Sequence, residues 1–271
     1  MLRDFIRETG VKSWVWRQLQ RQFHKRILRR THFLRLPTGN RIGLPPDSSF
    51  ASEVFITRAN VDWGCEALFC RMIVGQGAFM DVGANIGYYS LYMEPFVEQV
   101  FAFEPDARAC SQLIANVGGL SQISVISCAV GKETGTATFV QSPRSEISHL
   151  GREGETGVEM PVVSIDDFVA ERGVRVGGIK TDIEGRDLDA LIGARKVLQR
   201  ERPVVLAELQ PCPELAELAR NIDYAIFAYA REPVSRAVRF VRVDALEARG
   251  LVFKMLFLVP SERADEIRQA A

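Results

Sequence analysis

The stretch Lys180-Thr181-Asp182-Ile183-Glu184 places a cation and two carboxylates at every second position of an otherwise apolar run, "GGIKTDIEG" (177–185). Side chains alternate across a strand, so the three are expected to share one face. Ionisable groups in a buried run are costly unless they have partners or a task. Two readings follow. In one, the three form a capping and salt-bridge cluster, with Lys180 neutralising Asp182 and Glu184 capping the next helix. In the other they manage a proton: Asp182 or Glu184 takes it from a substrate hydroxyl, and Lys180 orients the oxygen or tunes the carboxylates. Glu208, at the end of the next apolar run "VVLAEL" (204–209), is a further acid expected on the same rim.

A second constellation lies upstream in "FMDVGANIGYYSLYM" (79–93), where a short apolar run turns through D-x-G-x-N-x-G into a helical pattern. Gly83 and Gly87 permit a sharp turn and close approach to a ligand, and the helix start presents free N–H groups. A dinucleotide asks for G-x-G-x-x-G, which is absent here, and the acid Asp81 repels a pyrophosphate. An acid suits a cationic ligand such as S-adenosylmethionine, whose ammonium Asp81 would meet directly or through water. Glu104 ends the next apolar run, 21 residues beyond Gly83, where a carboxylate can accept both ribose hydroxyls.

Apolar runs at 79–83, 100–105, 123–130, 177–185 and 204–209 alternate with helical patterns. That rhythm predicts an α/β protein: a doubly wound, mostly parallel sheet with helices on both faces. The runs "TATFVQ" and "EMPVVSI" read as a hairpin or insertion, and "AIFAYA", "RFVRV" and "FKMLFLVP" as late strands. The organisation expected is a lead-in of residues 1–75, holding an N-terminal helical extension, followed by one domain over 76–271.

That extension spans residues 11–28, with Val11, Trp14, Val15, Leu19, Phe23 and Ile27 at spacings of three to four and cations largely between them. Residues 1–35 hold eight Arg and two Lys against Asp4 and Glu8, a net of +8, although the whole chain balances 34 cations against 34 acids. Three roles suit a basic amphipathic helix: packing Trp14 and Leu19 onto the domain with the arginines solvated, an oligomer contact, or docking at an anionic membrane. The neutral total gives no argument for a nucleic-acid partner. Five cysteines with no C-x-x-C, and no secretory signal, suit a reducing, cytoplasmic setting, with peripheral contact at the inner membrane face if the helix docks there. With three histidines and no paired cysteines, no metal site is expected. His149, in the polar loop "SPRSEISHLG", is either an exposed bystander or a base in an acceptor-binding lid.

"FMDVGANIGYYSL", "FAFEPD", "SCAVG", "VVSIDDF", "IKTDIEG" and "RPVVLAEL" occur in the order seen in the FkbM family of methyltransferases, and the resemblance covers about residues 79–210. It implies a class I methyltransferase (Rossmann-like) fold, S-adenosylmethionine as cofactor, and usually O-methylation of a hydroxyl on a small-molecule or glycan acceptor such as a polyketide, sugar or glycolipid. By this resemblance Asp81, Gly83, Asn85, Gly87 and Glu104 hold the cofactor, Ala129 lies near the adenine, and K-x-D-x-E-G is the reacting strand. Thr181 and Asp187 depart from the family's usual aliphatic residue and Glu. Against this stand two other readings: a catalytically silent scaffold that has kept the fold, and a nicotinamide-dependent oxidoreductase.

Overall fold

The computed structural model describes residues 10–142, 149–151, 155–232, 238–243, 250 and 252–271. Helix α1 (Val11–Gln22) runs on into a π-helical segment, Phe23–Leu28. An antiparallel pair, β1 (His32–Arg35) and β2 (Arg41–Leu44), leads to helices α2 (Ser49–Thr57) and α3 (Cys65–Ile73). Then come β3 (Ala78–Val82), α4 (Tyr88–Met93), β4 (Val100–Phe103), α5 (Ala107–Val117) and β5 (Ile123–Ile126). Four short strands follow: β6 (Ala129–Val130), β7 (Gly135–Val140), β8 (His149–Leu150) and β9 (Val158–Val163). The chain continues through α6 (Ile165–Arg172), β10 (Val176–Thr181), α7 (Asp187–Ile192), α8 (Arg195–Glu201), β11 (Val204–Ala207) and α9 (Pro213–Asn221). It closes with β12 (Tyr224–Arg231), β13 (Val238–Arg242), β14 (Leu256–Pro260) and α10 (Ala264–Ala270).

The main sheet has eight strands in the order β13-β12-β14-β11-β10-β3-β4-β5. β11, β10, β3, β4 and β5 are mutually parallel, and β14 runs against both of its neighbours, β11 and β12. Side chains alternate between two cores. Phe79, Leu206 and Phe257 join the core on one face; Met80, Val205 and Leu258 join that on the other. Both faces are covered by helices, so the parallel strands read as unbroken apolar runs rather than alternating ones. After β3 the chain builds β4 and β5 to one side and then crosses to β10 and β11 on the other. This reversal puts a crevice at the carboxyl ends of β3 and β10, where such sheets take their ligands. The smaller sheet, β6-β9-β7-β8, contains the expected hairpin strands β7 and β9.

Local chemistry fixes the helix starts. Ser48 accepts from the Ala51 N–H ahead of α2, Asp106 from the Arg108 and Ala109 N–H groups ahead of α5, and Ser164 from the Asp167 N–H ahead of α6. Residues of the lead-in, among them Ile42, Leu44, Phe55 and Leu68, belong to the same core cluster as Phe79 of β3.

The amphipathic helix appears with its faces exchanged. Trp14 packs against the core, but Leu19 is 60 % exposed whereas Arg21 is 1 % exposed. The guanidinium of Arg21 donates to the carbonyl oxygens of Leu44 (3.1 Å) and Pro45 (2.5 Å) and to the Ser52 hydroxyl (3.2 Å). Arg17 donates to the Ile56 carbonyl at 2.6 Å. The expected packing of Leu19 with solvated arginines is therefore corrected. Carbonyls left open around the start and along the flank of α2 are satisfied by long cationic arms, which a periodicity argument does not register.

Candidate active site

The glycine turn joins β3 to α4 at the crevice. Gly83 has φ 75°, and a Cβ there would lie 2.0 Å from the Asp182 carbonyl oxygen, so no side chain fits. Asn85 also adopts the left-handed region, with φ 50°. Its backbone N–H donates to Glu104 Oε2 at 2.7 Å, and the Asp106 N–H donates to Glu104 Oε1 at 2.8 Å. Burial pushes the Glu104 carboxyl up to about 7 despite these donors. Gly87 serves packing: its Cβ would strike Leu113 of α5 at 2.7 Å, so the residue lets two helices approach and starts α4.

Asp81 is fully buried, and burial raises its carboxyl above the usual range. Its Oδ2 accepts from the Ser90 hydroxyl at 2.5 Å, and its Oδ1 lies 3.8 Å from Lys180 Nζ. It stands behind the loop rather than at the cavity surface. Asp81 supports Lys180, its register partner on β10, and its Oδ1 is buried without a hydrogen-bond partner.

Lys180 is 3 % exposed. Its ammonium donates to the Gly83 carbonyl at 3.1 Å, lies 3.3 Å from Asp182 Oδ2 and sits 5.2 Å above the centre of the Tyr89 ring. Burial works against its charge, but Asp182 and Asp81 outweigh burial and its pKa is raised. Asp182 follows the last strand residue, Thr181. Burial would raise its carboxyl, yet Lys180 and a hydrogen bond from Glu208 hold it below the usual value. Glu208 is raised, first by burial and then by that hydrogen bond and the charge of Asp182. The pair is biased toward a protonated Glu208 hydrogen-bonded to an ionised Asp182.

The expected common strand face stops at Asp182. β10 ends at Thr181, and Glu184 lies in the following turn with φ 47°, exposed at the rim. Gly185 succeeds it with φ 79°; the chain bends here to enter α7, so strand alternation no longer governs where side chains go. Thr181 is fully buried, and burial pushes Asp187 up to about 6.

Asn85, Glu104, Ala129, Lys180, Asp182, Glu184 and Glu208 all line one cavity of about 500 Å³. At one end Phe103, Cys128, Ala129, Val130 and Phe139 form an apolar slot beside Glu104. At the other end Phe50, Asn60, Asp62, Trp63, Arg231 and Lys254 form a second wall, made of residues that no motif in the sequence singled out. Asp62 accepts from the Tyr89 hydroxyl at 2.6 Å, and Glu66 from the Tyr88 hydroxyl at 2.9 Å. Burial raises Asp62 and pushes Glu66 up to about 7. Arg231 stacks over the Trp63 ring at 4.0 Å. Trp63 itself has φ 60°, a strained conformation for a bulky residue and one that clusters at functional sites. The one signal in the sequence was the acid pair Asp62 and Glu66 flanking a tryptophan and a glycine, four residues apart at a helix start.

His149 lies on the backbone opposite Val140 in the β7–β8 pair, rather than in a loop, and the serine-rich residues 143–148 before it lie outside the described residues. Among the described residues no group of three or more His, Cys, Asp or Glu is placed to hold a metal ion, and the five cysteines are unpaired thiols.

A family model for the methyltransferase FkbM domain matches residues 81–231, from the acid of the glycine turn to the end of β12. The chain belongs to the FkbM methyltransferase family. It is similar to the 2-O-methyltransferase NoeI of Sinorhizobium fredii (strain NBRC 101917 / NGR234), 24% identical over 147 residues. That match spans 45% of this chain and 59% of the curated relative's length. Among solved structures, methyltransferase FkbM from Methylobacillus flagellatus KT is 20% identical and aligns over 76% of this chain and 52% of that one, with a TM-score of 0.43. M. jannaschii TYW2 in complex with AdoMet is 13% identical over 81% of each chain, with a TM-score of 0.43.

The cofactor that the FkbM family implies is S-adenosylmethionine, and the residues present fit it. Glu104 retains acceptor capacity toward the cavity. Asn85 Oδ1 is buried without a hydrogen-bond partner. The Gly83 backbone leaves no side chain in the way, and the slot around Ala129 is apolar enough for an adenine.

Proposed function

We propose that this chain is an S-adenosylmethionine-dependent methyltransferase that methylates a hydroxyl oxygen of a small-molecule or glycan acceptor, in the class of sugars, glycolipids and secondary metabolites. One observation carries the reading: Lys180, Asp182 and Glu208 open onto the same cavity as Asn85 and Glu104. The relative named as a 2-O-methyltransferase supports oxygen as the receiving atom.

When bound, the cofactor supplies an electrophilic methyl group on a sulfonium. In this reading Gly83, Asn85 and Glu104 hold it, Glu104 accepting from the ribose hydroxyls, with Ala129 against the adenine. Gly87 and Asp81 act one step back, shaping the loop and holding Lys180. Lys180 keeps its charge, so it is no base. It clamps the loop through the Gly83 carbonyl and keeps Asp182 ionised. Asp182 would accept the proton that the acceptor hydroxyl loses, and Glu208 would keep its own proton and steady Asp182. The wall of Asp62, Trp63 and Lys254 receives the acceptor. Glu184 at the rim and His149 in the β7–β8 pair are the outlying candidates for acceptor contact.

The test is methyl release with paired measurements on single variants. A positioned base contributes about 10²–10⁴-fold, so Asp182→Asn lowers turnover on that order with near-normal cofactor affinity. Lys180→Met lowers both, because it also frees the loop. If turnover survives in Asp182→Asn, Lys180→Met and Glu208→Gln while only the melting temperature falls, the cluster is structural and the catalytic reading is lost. A titration in which NADH binds and S-adenosylmethionine does not would favour an oxidoreductase instead.

A further inference from the structure

Helix α1 and its π-helical continuation expose the side chains that a globular protein ordinarily hides. Val11, Val15, Trp16, Leu19, Phe23 and Ile27 are between 41 % and 68 % exposed. Eight of the thirteen large apolar side chains exposed among the described residues fall between Val11 and Phe33. Scattered exposure of single apolar residues is ordinary; a contiguous stripe marks an interaction surface. The stripe is also held in line. Residues four apart on an α-helix drift by roughly 40° per step, and the wider π turn at Phe23–Leu28 brings Ile27 back under Leu19 and Phe23.

The charge around the stripe identifies what covers it. No Asp or Glu occurs between residues 10 and 46, while Lys12, Arg26, Arg29 and Arg30 are exposed beside it. A second copy docking through the same face would set these cations against each other, since a two-fold interface brings the same patch from both sides. An RNA would satisfy the cations and stack at most on Trp16 and Phe23, leaving Val11, Val15, Leu19 and Ile27 in water. A membrane with anionic headgroups satisfies both, with apolar side chains at the acyl boundary and cations at the phosphates. Among the described residues no helix is long and apolar enough to cross a membrane. Arg17, Arg21 and Lys25 reach the other way, to Ile56, Leu44, Pro45 and Ser52, and fasten the helix to the domain.

We infer that the face formed by Val11, Val15, Trp16, Leu19, Phe23 and Ile27 docks on an anionic membrane surface. This inference is independent of the acceptor proposed above. It also fixes an orientation. Ser52 and Ile56 of α2 meet α1, whereas Phe50, Glu53 and Thr57, on other sides of the same helix, line the cavity, so α2 stands between the docking face and the cavity.

The experiment is co-sedimentation of the intact protein with vesicles of phosphatidylcholine alone, or with roughly one third phosphatidylglycerol, at low and high salt. The apparent affinity for the anionic vesicles is expected to be at least about tenfold higher than for the neutral ones and to fall with salt. The double variant Leu19→Glu/Ile27→Glu loses at least about tenfold of that binding while keeping its melting temperature and cofactor affinity, since both positions are solvent-exposed. Failure of the intact protein to sediment with anionic vesicles overturns the inference. So does sedimentation that the double variant leaves unchanged. A dimer in solution that the double variant dissociates, without vesicle binding, assigns the face to a second copy. Binding to a single-stranded RNA in place of vesicles assigns it to nucleic acid.

Discussion

Glu104 is a carboxyl group that the fold makes hard to ionise: burial pushes it up to about 7, against an ordinary 4.5. In the unliganded protein this contribution to stability is complete below pH 4.5 and is lost as pH rises through 7. Ribose hydroxyls donating to the carboxylate favour the anion and draw the pKa down. Cofactor binding is therefore expected to release a proton near pH 6.5 and to strengthen as pH rises toward 7. Calorimetry in two buffers of different ionisation enthalpy reads that proton directly; Glu104→Gln abolishes the release and weakens binding by about 2–3 kcal/mol. Gly83 offers a second test. Gly83→Ala meets the Asp182 carbonyl at 2.0 Å in addition to an unfavourable φ, whereas Gly185, with φ 79°, has nothing within 4 Å. The Gly185→Ala variant should lose about 1–2 kcal/mol and Gly83→Ala distinctly more, with cofactor binding lost, as measured by urea unfolding and titration. Individual residues were legible where the chemistry is local. The acid, glycine and asparagine of the turn, Glu104, and the Lys180–Asp182 pair all announced themselves within a few positions. Asp62, Trp63 and Lys254 did not, because they reach the cavity from both ends of the chain and share no spacing with the motifs.

Helix α1 shows what an element reveals and conceals in sequence. Its period was plain, and so was its division into an apolar and a cationic side. Which side meets the domain depends on what the domain offers, and here that is a set of carbonyls around α2 rather than an apolar groove. The consequence for stability runs against the usual expectation. Arg21→Ala strands two buried carbonyls and removes a charged donor, and is expected to cost about 2–3 kcal/mol. Leu19→Ala should stay within about 0.5 kcal/mol. Chemical denaturation of the two variants side by side checks the order, and equal losses would contradict the arrangement. The strand β10 teaches a related lesson. Alternation put Lys180 and Asp182 together, and their charged groups lie 3.3 Å apart, but it was carried to Glu184 past the residue where the strand ends, because nothing in "KTDIEG" marks the left-handed turn at Glu184.

For the whole molecule, the parallel sheet was readable because each of its strands is buried on both faces and therefore written as an apolar run. The strand order was less so: β14 inserts between β11 and β12 although it follows both in the chain. It also joins the two cores, sending Phe257 to one and Leu256 and Leu258 to the other. Phe257→Ala is accordingly expected to remove about 3–5 kcal/mol and to lower one cooperative transition, seen at the same denaturant concentration in near- and far-ultraviolet dichroism. Two separated transitions would show that the cores melt independently. The late arrival of β14 has a consequence on the ribosome. While synthesis proceeds from Ala207 to Leu256, β11 and then β12 exist without the neighbour that lies between them. At about 5–20 residues per second that interval lasts seconds, far longer than a hairpin takes to form. Each nascent chain thus carries bare apolar strand edges for that time, and the yield of soluble protein depends on what shields them until the last strand emerges.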